Sequence, residues 1–168
     1  MPKLTWLKYL LKEKRLVFIR NFIRMASFHR TPFRELLENI LEITENFNAG
    51  FTFPTVASVA LQRPELIRLI DDFHQEIASH GFKHVKYSYF SPEEQRKDIE
   101  KSLKAFKKLG VSIRGFRAPY NVYDNQTPRI LDEFNLLWDG GIGYAPQYRK
   151  KKIFFRIQLD DHESNFVC

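Results

Sequence analysis

Apolar residues along this chain switch between two rhythms, and the switches mark out alternating helices and strands. Leu4, Leu7, Leu11, Phe18, Phe22 and Met25 fall near one face of a helix over residues 3–26, with lysines and arginines around the rest. Thr31-Pro32 reads as the cap and first position of a second helix running to about Phe47, with Leu36, Leu37, Ile40, Leu41 and Phe47 inward. Asn48-Ala49-Gly50 ends that helix, and Phe51-Thr52-Phe53-Pro54-Thr55 follows as a short strand closed by its proline. Pro64 opens another helix, in which Leu66, Ile67, Leu69, Ile70 and Phe73 keep helical spacing and lead into a strand over residues 76–79.

Ser91-Pro92-Glu93-Glu94 is a capping box with proline in the first turn, so a helix starts there and runs to Gly110. Ile99, Leu103 and Phe106 form its buried stripe, while Lys104, Lys107 and Lys108 suit the negative end of its dipole. Residues 111–117 are strand-like, 127–135 helical, 136–139 a strand and 153–159 a further strand. Strand and helix alternating with short connections predict an α/β fold: a parallel sheet with helices packed outside it. In such folds the functional loops lie at the carboxyl ends of the strands.

Composition narrows the picture. The 168 residues suffice for one domain with a proper core, and 43% hydrophobic with 28% charged residues describes an ordinary globular chain. The single cysteine, Cys168, rules out an intramolecular disulfide and a Cys-rich zinc site, so any metal falls to histidines and carboxylates. Net charge is +7, but residues 1–30 hold eight of the 27 Lys and Arg and one of the 20 acids. The rest of the chain keeps nineteen of each sign and is neutral, which argues against a nucleic-acid partner.

Residues 3–26 therefore stand out as a basic amphipathic helical extension. It either packs on the domain with its charges solvated, the usual fate of such a helix, or lies on an anionic membrane surface. Arg20 interrupts Leu16-Val17-Phe18-Ile19, and no signal-peptide core is present, so neither a span nor a leader is expected. A cytoplasmic protein, or one peripheral to the inner membrane face, follows. The expected organisation is residues 1–30 as this extension and 31–168 as the domain.

Three segments come to the carboxyl edge of the expected sheet: residues 80–84, residues 117–120 and residues 138–141. The first holds His80 and His84, four apart with Gly81 between them to turn the chain, and two imidazoles from one segment can converge on one ion. Arg117, Pro119, Tyr120, Trp138 and Asp139 join them on the same rim, and together they suit a metal-dependent hydrolase. Plainer readings stand beside this one. Arg117 serves equally as a surface ion pair, Tyr120 as a core aromatic with a wet hydroxyl, and Asp139 as a turn residue before Gly140.

Taken together, Glu76-Ile77-Ala78-Ser79-His80-Gly81-Phe82-Lys83-His84, the Ser91-Pro92-Glu93-Glu94 helix start and Gly115-Phe116-Arg117-Ala118-Pro119-Tyr120 resemble the polysaccharide deacetylases of the NodB-homology class. Order and spacing match over roughly residues 33–161, and Phe51-Thr52-Phe53 resembles the strand that precedes the histidine motif there. The resemblance implies a partial or distorted (β/α) barrel and a divalent metal, zinc above all, held by His80 and His84. It also implies that Arg117 orients a catalytic base and that the Tyr120 backbone N–H steadies an oxyanion. Trp138 and Asp139 resemble the pair lining the substrate groove, with Pro119 beside them, and Gln158-Leu159-Asp160-Asp161 is similar to a late segment of many members. The implied substrate is an N-acetylated glycan or a small amide; a variant of the same superfamily hydrolyses cyclic ureides and imides.

Two departures from the family pattern matter. The strand ending in Asp-Asp, which supplies base and third metal ligand, is absent; an ungapped count back from Thr52 puts His29 and Arg30 in its place. The family's late histidine, the general acid, has no match, since His162 lies in the wrong context. The chain is then either a shortened member, incomplete at both ends, or one that has lost the reaction. A metal held without its third protein ligand would be held weakly. Two functions follow: a hydrolase acting on carbon–nitrogen bonds of N-acetyl groups, or an inactive deacetylase-like module that binds a glycan or partner. Candidate carboxylates for the missing base are Asp139, Asp160 and Asp161.

Overall fold

Parallel strands must be joined by crossovers long enough to return the chain to the same end of the sheet, and the helices of this chain supply them. The structure, a computed structural model, describes residues 32–122, 124–141, 163, 164 and 167. The helix expected over 3–26, the Thr31 cap, His29, Arg30, the strand expected over 153–159, Asp160, Asp161 and His162 lie outside these residues. The chain divides into two compact units, Met1–Ile43 and Thr44–Cys168.

Helix α1 (Phe33–Asn46) runs through that division. Its buried row is Leu37, Leu41 and Thr44, spaced by four and three. Ile40 and Phe47, expected inward, are instead 43% and 78% exposed. Ile40 sits to the side of the buried row, and Phe47 lies beyond the last turn. A polar threonine occupies the position that the apolar pattern would have filled.

In the second unit, β1 (Thr52–Thr55), β2 (Glu76–Ser79), β3 (Gly115–Phe116) and β4 (Trp138–Asp139) form one sheet in the order β1-β2-β3-β4, every pair parallel. Helices α2 (Ala57–Gln62) and α3 (Pro64–Asp72) join β1 to β2. Helix α4 (Pro92–Lys108) joins β2 to β3, and α5 (Thr127–Glu133) joins β3 to β4. Parallel strands with helical crossovers are what the alternation predicts, and their sequential order is that of the (β/α) barrel the resemblance implies. Beyond β4, Val167 bridges Trp138 in parallel, with Asp139 N–H donating to its carbonyl at 2.7 Å.

The Ser91 cap forms as expected, its side chain accepting from Glu94 N–H while Glu94 reaches back to Ser91 N–H. Strands β3 and β4 are shorter than the apolar runs that contain them, because only two residues of each find ladder partners. Helix α2 has no counterpart in the sequence reading. It has no side-chain cap; Ala57 N–H and Ser58 N–H donate instead to the carbonyls of Gly81 and Phe82, at 2.9 and 3.2 Å. Its start is thus fixed by residues far along the chain.

Register decides which side chains share a face. Thr55, Ser79, Phe116 and Asp139 stand in one row across the sheet. Phe116 belongs to the core with Tyr87, Ile99, Ile130 and Leu131, and Ser79 meets Ser102 of α4, so this row faces the helices. Alternation turns Glu76, Ala78 and His80, Gly115 and Arg117, and Trp138 and Gly140 to the opposite, inner face. Among the described residues no helix is long and apolar enough to cross a membrane.

Candidate functional site

On the inner face one end of the sheet is covered by a single side chain. Trp138 lays its indole across Gly115: a Cβ on that glycine would stand 1.9 Å from Trp138 Cε2. The indole Nε1–H reaches over β3 to Glu76 Oε1 at 2.9 Å, and the other oxygen of Glu76 accepts from Thr52 Oγ1–H at 2.7 Å. Trp138, expected at a substrate groove, thus spans three strands as the floor of this face.

Above that floor, His80 continues β2, with its N–H donating to Thr55 carbonyl at 3.0 Å. The ring Nδ1 lies 2.6 Å from the backbone carbonyl of Arg117. A carbonyl only accepts, so Nδ1 carries the proton and the neutral ring presents Nε2 as its lone pair. Burial holds the His80 pKa below the ordinary imidazole value, opposed by the bond to Arg117 and assisted by the nearby positive charges of His84 and Arg117. Neutral imidazole is the form a metal requires.

His84, exposed at the loop's far end, has its ring centre 5.1 Å from that of His80 and 4.6 Å from that of Tyr120. Two imidazoles on one tetrahedral ion, with Zn–N about 2.0–2.1 Å and a further ~1 Å from nitrogen to ring centre, stand about 5 Å apart. The spacing of the two rings and the tautomer of His80 are compatible with one divalent ion between them. Among the described residues no third His, Cys, Asp or Glu joins them.

Gly81 makes the turn between the histidines possible. Its φ is +77°, and a Cβ there would meet Asp98 Oδ2 at 2.9 Å and Tyr87 Oη at 3.0 Å. The residues holding this loop were missed in the sequence: Tyr87 and, on α4, Gln95, Asp98 and Ser102. A signal was there. Gln95, Asp98 and Ser102 are spaced by three and four, in phase with Ile99 and Phe106, so polar groups occupy core positions of α4.

After β3 the chain makes a 3-10 turn, Pro119–Asn121, with Tyr120 at φ 61° and Asn121 at φ 54°. Arg117 Nε–H donates to Asn121 Oδ1 at 2.9 Å, so the guanidinium is aimed by its own turn. Pro119 is buried, whereas Tyr120 is 57% exposed, so it is not a core aromatic. Among the described residues no backbone carbonyl takes the Tyr120 N–H.

Asp139 is 2% exposed, and its Oδ1 accepts from Gly141 N–H at 3.2 Å. Its place in the row of Ser79 and Phe116 puts its side chain on the helix-facing side, opposite to His80 and Arg117. The turn-residue reading describes that contact; the base reading would need the carboxylate on the other face.

The polysaccharide deacetylase profile matches residues 25–137, more than half of the chain. The chain belongs to the polysaccharide deacetylase family. Among solved structures of the family, a Mycobacterium smegmatis protein assigned to the polysaccharide deacetylases is 27% identical with a TM-score of 0.69, the match covering 78% of this chain and 43% of that one. A CE4 family pseudoenzyme from Bacillus anthracis shares the fold at 23% identity and TM-score 0.59, over 61% of this chain and 37% of its own. So does Puue allantoinase, at 19% identity and TM-score 0.63, over 79% and 45%. The chain spans less than half the length of each of these relatives.

Proposed function

We propose that this polysaccharide deacetylase family domain acts on N-acetyl groups of a carbohydrate or related amide, cleaving a carbon–nitrogen bond with a divalent metal, zinc foremost, held by His80 and His84. The observation that carries the reading is the His80 ring, locked by the Arg117 carbonyl with Nε2 available and 5.1 Å from the ring of His84. When bound, such an ion polarises the acyl carbonyl and acidifies water. Two of the chain's own residues assist. Arg117 fixes the tautomer of His80 through its carbonyl, and its guanidinium adds positive charge beside the acyl group. The Tyr120 N–H serves as a donor to the oxygen on which negative charge develops.

A second reading, a deacetylase-like module that binds a glycan or partner without turnover, is favoured by one observation. No carboxylate joins the histidine pair among the described residues. A missing base and acid would each cost about 10²–10⁴-fold in rate. Zinc affinity measured at equilibrium, by competition with a chromophoric chelator, separates a metal site from its absence: wild type binds zinc, His80→Ala and His84→Ala bind it more weakly, and equal affinity in all three refutes the pair as ligands. Turnover of N-acetylglucosamine oligomers by zinc- or cobalt-loaded protein, with His84→Ala as blank, then divides the two readings. Histidine-dependent acetate release supports the enzyme; retention of the oligomers without release supports the module.

A further inference from the structure

Helix α4 carries one polar side chain per turn on its buried face, and each reaches a different point of the segment bearing the histidines. Ser102 Oγ lies 2.8 Å from Ser79 Oγ, next to His80. Asp98 Oδ2 accepts from Phe82 N–H at 2.8 Å and from Tyr87 O–H at 2.9 Å. Gln95 Nε2 donates to the carbonyls of Tyr87 and Phe90 at 3.2 and 3.3 Å. Ser102 and Gln95 are fully buried, and Asp98 is 8% exposed.

Asp98 is the acid of the three, and a buried acid is retained only where hydrogen bonds compensate its lost hydration. Its two donors straddle His84, one two residues before it and the other three after. The same oxygen also fills the space beside Gly81, where a Cβ would stand 2.9 Å away. One carboxylate oxygen therefore gathers residues 81–87 around itself. Tyr87 stays a donor in this arrangement, because burial and the charge of Asp98 push its phenol well above the usual tyrosine range.

We propose that Asp98 is a positioning residue for the histidine pair: without touching either ring, it fixes the backbone between them so that His84 meets His80 at the separation one ion requires. This rests on the reading of the pair as a metal site and names what sets its geometry. His80 is held independently through the Arg117 carbonyl, so the effect of Asp98 falls on His84. Outer contacts of this kind set metal affinity through the position of the ligands, typically by 10–100-fold.

The test uses the full chain carrying Asp98→Ala, Asp98→Asn or Tyr87→Phe, with Ile99→Val as a control that loosens the apolar packing of the same helix without removing a hydrogen bond to the loop. Zinc affinity, measured by competition with a chromophoric chelator, falls 10–100-fold in Asp98→Ala and less in Tyr87→Phe. It is partly recovered in Asp98→Asn, which keeps an acceptor oxygen, and is unchanged in Ile99→Val. In zinc-free protein, amide hydrogen exchange at residues 81–84 speeds up in Asp98→Ala but not in Ile99→Val. Wild-type affinity and exchange in Asp98→Ala overturn the proposal, as does equal weakening of zinc by Ile99→Val. If wild type binds no zinc, the metal reading fails, and the exchange arm alone decides whether Asp98 anchors the loop. Should Asp98→Ala not fold, Asp98→Asn and Tyr87→Phe give the same comparisons.

Discussion

Two loops leave the same edge of the sheet, and they are held in opposite ways. The loop after β2 is fixed from outside: α2 donates to its carbonyls, and α4 grips its N–H groups and side chains with buried polar residues. The turn after β3 holds itself. Tyr120 and Asn121 take left-handed backbone angles, and Arg117 bonds its own neighbour Asn121 at 2.9 Å across half-buried surface. The difference shows that one side of the candidate site depends on residues distant in sequence, whereas the other depends on the identity of a few consecutive residues. Substitutions should therefore propagate into the first loop and stay local in the second.

Gly81→Ala should break the first loop most severely. It sets a methyl group 2.9 Å from Asp98 Oδ2 at a backbone angle alanine avoids, and should cost about 2–4 kcal/mol. Urea unfolding measures this as a lower midpoint with an unchanged slope; a loss under about 1 kcal/mol would erase the contrast between the loops. Asn121→Ala removes the Arg117 contact and places alanine in a left-handed conformation, for a loss of about 1–2 kcal/mol. Hydrogen exchange after that change should quicken around residues 117–122 and leave residues 80–84 alone. Tyr120→Gly relieves left-handed strain against a more flexible unfolded chain, so the net change is within about 1 kcal/mol and towards greater stability.

The smallest effect concerns pH. Because burial lowers the pKa of His80 in the folded protein, the unfolded imidazole takes up its proton first as pH falls below 6.5. The stabilisation from neutral His80 is fully present above that value and is lost as pH falls from 6.5 through the lower folded pKa. Melting temperatures of wild type and His80→Gln should converge as pH is taken down from 7.5 to 5. A wild-type advantage that grows on acidification would reverse the assigned direction.

Much of this architecture was written locally. The Ser91 capping box, Gly110 in the left-handed conformation after α4, and the apolar rhythm of α3 each act over a single turn, and each formed where the residues indicated. Histidine spacing and the Gly81 turn were equally legible. Helix α2 was not, because its first N–H groups are satisfied by the carbonyls of Gly81 and Phe82 rather than by a cap of its own. Asp98 was harder to read for a related reason: its phase with Ile99 and Phe106 marks a core position, but an acid there reads as solvated until the loop that it grips is known. Asp139 depended on register, since a shift of one residue along β4 would have turned its side chain to the other face.

The indole resting on Gly115 has a consequence for how this sequence can change over generations. With a Cβ at position 115 standing 1.9 Å from that ring, any side chain at 115 and a tryptophan in its present pose at 138 exclude each other. The two positions are in effect one heritable character. A descendant that acquires alanine at 115 must move or surrender the indole, and with it the cross-sheet tie to Glu76. Glycine at 115 is thus a permissive state, fixed by its partner on the next strand, and the order of events is constrained: the ring gives way first, or the side chain never arrives.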